Sequence, residues 1–228
     1  MSHSHAKMPK TRRSSLEIDN VKKRILEKAL DIIIEEGFDK LTMRKLAKRM
    51  NMTAANLYNY FINKEELYLY LDNESYKELH GMIVRAISKQ PSIEEKIKAC
   101  FSAYIEFGLR YPFRYDMMFN RFSPKSTDYI GTESEEVAFN QVKEALKIWK
   151  LANDLMFRYS QTNPKLKGMD TKFLTLKIWC ELHGMISLYN SRILEELRLS
   201  EDKFEASPKE LIRKFLENIL SSLRMGHP

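Results

Sequence analysis

Glycine and proline are scarce in this chain, 7 of each in 228 residues, and no stretch alternates convincingly between apolar and polar positions. Sheets need frequent turns and a period of two, so both shortages argue against a β-rich domain and for an all-helical one. Cysteine is nearly absent. Cys100 and Cys180 lie far apart in apolar, helical-looking runs, which excludes a disulfide framework or a CxxC pair and points to a reducing, cytoplasmic setting. No apolar run approaches the roughly 18 residues a bilayer crossing needs, and the first residues are basic and polar without a signal-peptide core, so no membrane partner is expected. Catalytic signatures are missing too. There is no Gly-rich phosphate loop, no HExxH, no GxSxG and no acid pair on a plausible cleft. A Cys–His pair of Cys100 or Cys180 with His183 would be a coincidence of residue types. Neither an enzyme nor a cofactor nor a metal site is expected, and His3 and His5 of "SHSH" offer only adventitious metal binding.

What the chain has in excess is positive charge at one end. Residues 1–64 hold 14 Lys and Arg against 7 Asp and Glu, and residues 65–228 hold the remaining 24 against 24, so the whole net charge of +7 sits in the first quarter. That asymmetry is expected of a protein whose one end meets a polyanion. The segment "KMPKTRRSS" contributes Lys7, Lys10, Arg12 and Arg13, and residues 1–17 read as a basic arm. Such an arm either contacts DNA phosphates or a minor groove, or is a solvated tail.

Helical signals then follow closely. Val21, Ile25, Ala29, Ile32 and Ile33 recur at helical spacing between about Ile18 and Glu36, and Gly37 with Phe38 ends that helix. Thr42 is placed to cap a short helix over Met43–Met50 with Leu46, Ala47 and Met50 inward. Asn51 falls at the turn, where asparagine tolerates left-handed geometry. Thr53 caps a third helix in which Leu57 and Phe61 face the core. Its other side carries Ala54, Ala55, Tyr58 and Asn59, an odd solvated surface but a suitable one to lie against a major groove. Asn63 caps a fourth helix whose first turn holds Lys64, Glu65 and Glu66; the acids favour that end, whereas Lys64 opposes the helix dipole and asks for an anion such as phosphate.

The pattern from Thr42 to Leu67, "TMRKLAKRMNMTAANLYNYFINKEEL", with the upstream helix ending at Gly37-Phe38, resembles the DNA-binding domain of TetR-family transcriptional regulators. Asn51 stands where that family usually has glycine, and Ala54 and Ala55 where it often has larger polar residues or proline. The resemblance implies that Thr42 touches a phosphate and that Arg44 reaches a phosphate or a guanine edge. It implies phosphate contacts from Thr53, Tyr58, Tyr60 and Lys64, and base-edge contacts from Ala54, Ala55, Asn56 and Asn59. Alanine can meet only a thymine methyl and asparagine pairs with adenine, so A·T-rich half-site cores are expected.

The remainder reads as a second helical domain. A fourth helix runs from Leu67 to Ser88, continuous from the reading head into the core, so that motion in one could swing the other. Further helices are expected from Ser92 to about Arg110, over a segment from Phe113 to Phe122, from about Glu133 to Ser160, from Asp170 to about Leu199, and from Pro208 to Arg224. Phe101, Tyr104, Phe107, Tyr111, Phe113, Tyr115, Phe119 and Phe122 crowd one stretch with Met117 and Met118. In the family resembled, the central helices enclose an inducer pocket, which makes Phe101, Tyr104, Phe107, Met117, Met118, Phe119, Trp149, Trp179 and His183 the candidate ligand residues; plain core packing is the alternative. Glu106, Arg110 and Glu181 are candidate polar anchors or ordinary surface charges. The helix from Asp170 is apolar on two faces, and the last helix, with Leu211, Ile212, Phe215, Leu216, Ile219, Leu220 and Leu223, has too many apolar residues for one packing face, which together suggest a homodimer through these last two helices. "W…HG" at Trp179, His183 and Gly184 resembles one group of TetR-type C-terminal domains, in which the glycine permits close helix approach.

The expected architecture is therefore all-α: a basic arm over 1–17, a three-helix helix-turn-helix domain over 18–66, and an all-helical ligand-binding and dimerisation domain over 67–228. The expected partners are a double-stranded DNA operator, a mainly apolar small-molecule inducer and a second copy of the chain. Two other readings stay open, a DNA-binding protein of the same fold without an inducer (architectural or division-linked) and a transcriptional activator.

Overall fold

The computed structural model describes residues 14–121, 125–199 and 206–226. Among them are ten α-helices and three short 3-10 turns, with no strand. Contacts divide the chain into two compact units, Met1–Leu71 and Asp72–Pro228. The fold is all-α, as the pattern of apolar residues predicts.

In the first unit, α1 spans Ser15–Glu36. It starts three residues before the expected Ile18 because Ser14 and Glu17 form a capping box: the Ser14 hydroxyl accepts the Glu17 N–H at 3.3 Å, and the Glu17 carboxylate accepts the Ser14 N–H at 2.7 Å. Gly37 ends the helix at φ +93°, a conformation that side chains disfavour. Helix α2 covers Met43–Arg49 and α3 covers Ala54–Tyr58. Each begins at a threonine whose hydroxyl accepts a backbone N–H, Thr42 from Lys45 at 3.2 Å and Thr53 from Asn56 at 3.1 Å. Between them Asn51 sits at φ +53°, the left-handed turn foreseen for it. Helix α2 packs on α1 and α3 packs on α2. Ile25, Ala29, Ile32, Ile33, Leu46, Leu57 and Phe61 are fully or almost fully buried and form the core.

Helix α4, Lys64–Ile87, runs on from the first unit into the second. The second unit adds α5 (Ile93–Arg110), α6 (Pro112–Phe119), α7 (Glu135–Thr162), α8 (Thr171–Asn190), α9 (Ile193–Leu199) and α10 (Pro208–Met225). Helix α5 is the hub and packs against α6, α7, α8 and α10. The core joins Ile97, Phe101 and Phe107 of α5 to Tyr115, Met156, Ile178, Leu182 and Ile186, and to Ile219 and Leu223 of α10. At Gly108 the helices approach so closely that an added Cβ would lie 2.6 Å from Ile186 Cγ2.

Three expectations change here. The helix expected from Asp170 to about Leu199 is two helices, because Arg192 at φ +64° cannot continue α-geometry. Apart from the exposed Met225, the apolar residues of α10 share one side, burying Ile212, Ile219, Leu220 and Leu223 while the other side carries charge, so they are not too many for one face. Close helix approach belongs to Gly108; Gly184 has open space around it in the single chain. Phe122 and the basic arm up to Arg13 lie outside the described residues.

Candidate DNA interface and cavity

Helix α3 is built to present a face. Leu57 is wholly buried, as is Phe61 just beyond the helix, so the opposite side turns outward. There Ala55 and Asn59 are exposed, Tyr58 is 51 % exposed, and Ala54 and Asn56 are half-buried. Thr42, Arg44 and Thr53 are exposed and Lys64 is half-buried, with its Nζ 5.3 Å from the centre of the Tyr68 ring. Tyr60 differs from the other candidates in being buried, at 8 % exposure.

Charge in this unit is sorted rather than merely abundant. Lys45 and Arg49 of α2 are tied to α1. Lys45 bonds Glu36, and Arg49 donates to Glu35 at 2.7 Å and reaches Glu36 at 3.5 Å. The Lys45 hydrogen bond holds the Glu36 carboxyl below its ordinary range. Arg44 and Lys48 have no ion-pair partner among the described residues and remain available to an outside anion. At the start of α4, Asn63 accepts the Glu66 N–H at 2.7 Å, while the Glu66 carboxylate accepts the Ile62 N–H at 2.6 Å. Glu66 is buried in that role, which is more specific than the dipole effect expected of it. Lys22, which sequence reading did not single out, lies 4.8 Å from the Tyr70 ring centre and 5.6 Å from that of Phe61, and pins α1 to the start of α4.

In the second unit α4, α5, α6, α7 and α8 line a cavity of about 280 Å³ that is partly open to solvent. Of the candidate ligand residues, Phe101, Tyr104, Met118, Phe119, Trp149 and Trp179 line it. Phe107, Met117 and His183 do not: Phe107 and Met117 are buried in packing, and His183 stands behind Tyr115. The walls also include residues that sequence reading missed, Tyr76 and Ile83 of α4, Cys100 of α5, Ala145, Ile148 and Ala152 of α7, and Thr175, Ile178 and Leu182 of α8. Helical periodicity could have marked Ile83 and Ile178 as inward, but nothing in it separates a cavity wall from a filled core.

A chain of hydrogen bonds leaves this wall. The Trp179 indole N–H donates to the Tyr104 hydroxyl at 2.8 Å, Tyr104 and Tyr115 share a bond of 2.9 Å, and the Tyr115 hydroxyl lies 2.7 Å from His183 Nδ1. Burial pushes the Tyr104 phenol up to about 12, raises that of Tyr115 and lowers the pKa of His183. The candidate anchors Glu106, Arg110 and Glu181 point elsewhere: Glu106 and Arg110 face each other at 3.8 Å on the surface, and Glu181 accepts Lys177 Nζ at 2.7 Å.

Residues 25–71 match the model of the family described as bacterial regulatory proteins, tetR family. No curated protein matches the sequence. Among solved structures, a protein of unknown function from Rhodococcus sp. RHA1 is similar, with 18% identity, a TM-score of 0.71, and 96% of this chain and 100% of that chain covered. The fatty acid degradation regulator FadR from Bacillus halodurans shares 15% identity at a TM-score of 0.63, covering 92% of this chain and 97% of its own. The TetR family transcriptional regulator PfmR from Thermus thermophilus shares 17% identity at a TM-score of 0.61, with 87% of this chain and 97% of that chain covered. At such identities the likeness is one of fold. Residues 25–71 thus match the tetR family of bacterial regulatory proteins, and over the chain as a whole the likeness to such regulators is one of fold.

Proposed function

We propose that this protein is a cytoplasmic, dimeric repressor that a mainly apolar small molecule releases from its operator. The observation that carries the DNA half of the reading is the outward face of α3, where Ala55, Tyr58 and Asn59 stand over a wholly buried Leu57. Ala54, Ala55, Asn56 and Asn59 read base edges of A·T-rich half-sites, and Thr42, Arg44, Thr53, Tyr58 and Lys64 hold phosphates. Two such helices enter successive major grooves of a near-palindromic site, about 35 Å apart.

The dimer is supported by α8. Leu174, Ile178 and Leu182 are buried, yet Phe173, Leu176 and Leu188 lie exposed on the same helix, and Gly184 has open space around it. Apolar residues in that number ask for cover. We place a second copy there, with α10 running beside α8 at the interface. The cavity favours a ligand-responsive regulator over one of the same fold without an inducer, whose core would be solid. Ligand releases DNA to the extent that it binds a conformation unfit for the operator better than the fit one.

The test is fluorescence anisotropy of a labelled duplex at several salt concentrations. The logarithm of the affinity should fall linearly with that of salt, and Lys64→Ala should lower the slope by about 1. An affinity indifferent to salt contradicts the reading.

A further inference from the structure

Volume sets the first limit on what the cavity accepts. An apolar cavity of roughly 150 Å³ takes benzene, or about 25 Å³ per non-hydrogen atom. The cavity of about 280 Å³ then suits about eleven such atoms, the size of two fused six-membered rings with one substituent. Charge sets the second limit. Among the described residues, the lining contains no lysine, arginine, histidine or acid. Its phenols and thiol stay neutral, with burial lifting Cys100 to about 12. A carboxylate or ammonium seated against these walls would lose part of its water and find no counter-ion among the described residues of the lining.

The polar hydrogens of the wall set the third limit. Tyr76 donates to the Met118 carbonyl at 3.2 Å, Thr175 donates to the Thr171 carbonyl at 2.7 Å, and Trp179 donates to Tyr104. Tyr104 in turn is engaged with Tyr115. The Trp149 indole N–H has no partner among the described residues, and the only other uncommitted donor of the wall is the weak Cys100 thiol. The Trp149 and Trp179 rings stand 6.3 Å apart, presenting aromatic surface to a flat molecule.

We propose that the cavity selects an uncharged molecule of two fused rings bearing one hydrogen-bond acceptor, with the acceptor held by the Trp149 indole N–H. This rests on the ligand-responsive reading and names its ligand class. The test is calorimetric titration of the full chain with three probes of one skeleton: tetralone (a ketone), tetralin (no polar atom) and tetralin carboxylate. Tetralone should bind most tightly, tetralin about three- to tenfold more weakly for want of one neutral hydrogen bond, and the carboxylate about tenfold or more below the ketone. Trp149→Phe keeps the ring and should erase the preference for tetralone over tetralin. Ala152→Leu, which fills space in the wall, should weaken all three probes. Equal binding of ketone and carboxylate overturns the proposal, as does binding of none of the three, or a ketone preference that survives in Trp149→Phe. Selective ketone binding that leaves DNA affinity unchanged upholds the ligand class and overturns the ligand-responsive reading instead.

Discussion

Asp72 of α4 supplies a pH signature that this fold should carry. Its carboxyl is buried, its Oδ2 accepts a hydrogen bond from Gln141 Nε2 at 2.8 Å, and its Oδ1 has no partner. Loss of water around the charged form raises its pKa from 3.8 to about 8, against the smaller opposing effect of Gln141. The folded chain therefore keeps this proton through neutral pH, whereas the unfolded chain gives it up above about pH 4. The unfolded state then binds fewer protons, so stability falls as pH rises, by about 1.4 kcal/mol per pH unit inside that window. From pH 5 to pH 7 the loss through this group is about 2–3 kcal/mol. Asp72→Asn keeps an acceptor for Gln141 and removes the ionisation. Urea unfolding of both proteins at pH 5, 6 and 7 isolates the effect, because other titrating groups are common to the pair. The mutant's advantage should grow by about 2–3 kcal/mol across the range. Parallel pH profiles would refute the reasoning.

Other perturbations separate folding from reading. Gly108→Ala forces a Cβ to within 2.6 Å of Ile186 Cγ2, so it should cost about 1–3 kcal/mol in urea unfolding, and less when Ile186→Ala removes that atom. Leu57→Ala empties a fully buried position and should cost about 2–5 kcal/mol, taking DNA binding with it. Tyr58→Ala alters an exposed side chain and should leave stability within about 0.5 kcal/mol while DNA affinity falls. Thr53→Ala removes the acceptor for the Asn56 N–H and should cost about 1 kcal/mol.

The helix ends were legible because capping is local chemistry: Thr42, Thr53, Asn63 and Asp170 each accept a backbone N–H within three residues, and such a pattern is written in a short window. The turn at Asn51 was legible for the same reason. The break at Arg192 was not, because arginine in left-handed geometry carries no composition signal. Tyr58 and Tyr60 look alike in sequence, and only the end of α3 at Tyr58 turns one out and the other in. A cavity is space that five helices fail to fill, so no single helix encodes it. That is why Tyr76, Ala152 and Thr175 escaped sequence reading, and why Phe107, as aromatic as Phe101, proved to be packing. Asp72 in "LYLYLDNESY" reads like any exposed helix acid until the fold closes over it.

The central claim is a paired reader of DNA, and selection of bound duplexes from a random pool at fixed salt tests it most directly, with the double variant Tyr58→Ala/Lys64→Ala beside the wild type. The expected result is enrichment of a two-fold-symmetric site with A·T-rich half-site cores, lost in the double variant. No enrichment, a purely G·C-rich site, or an asymmetric one that the variant binds equally well would contradict it.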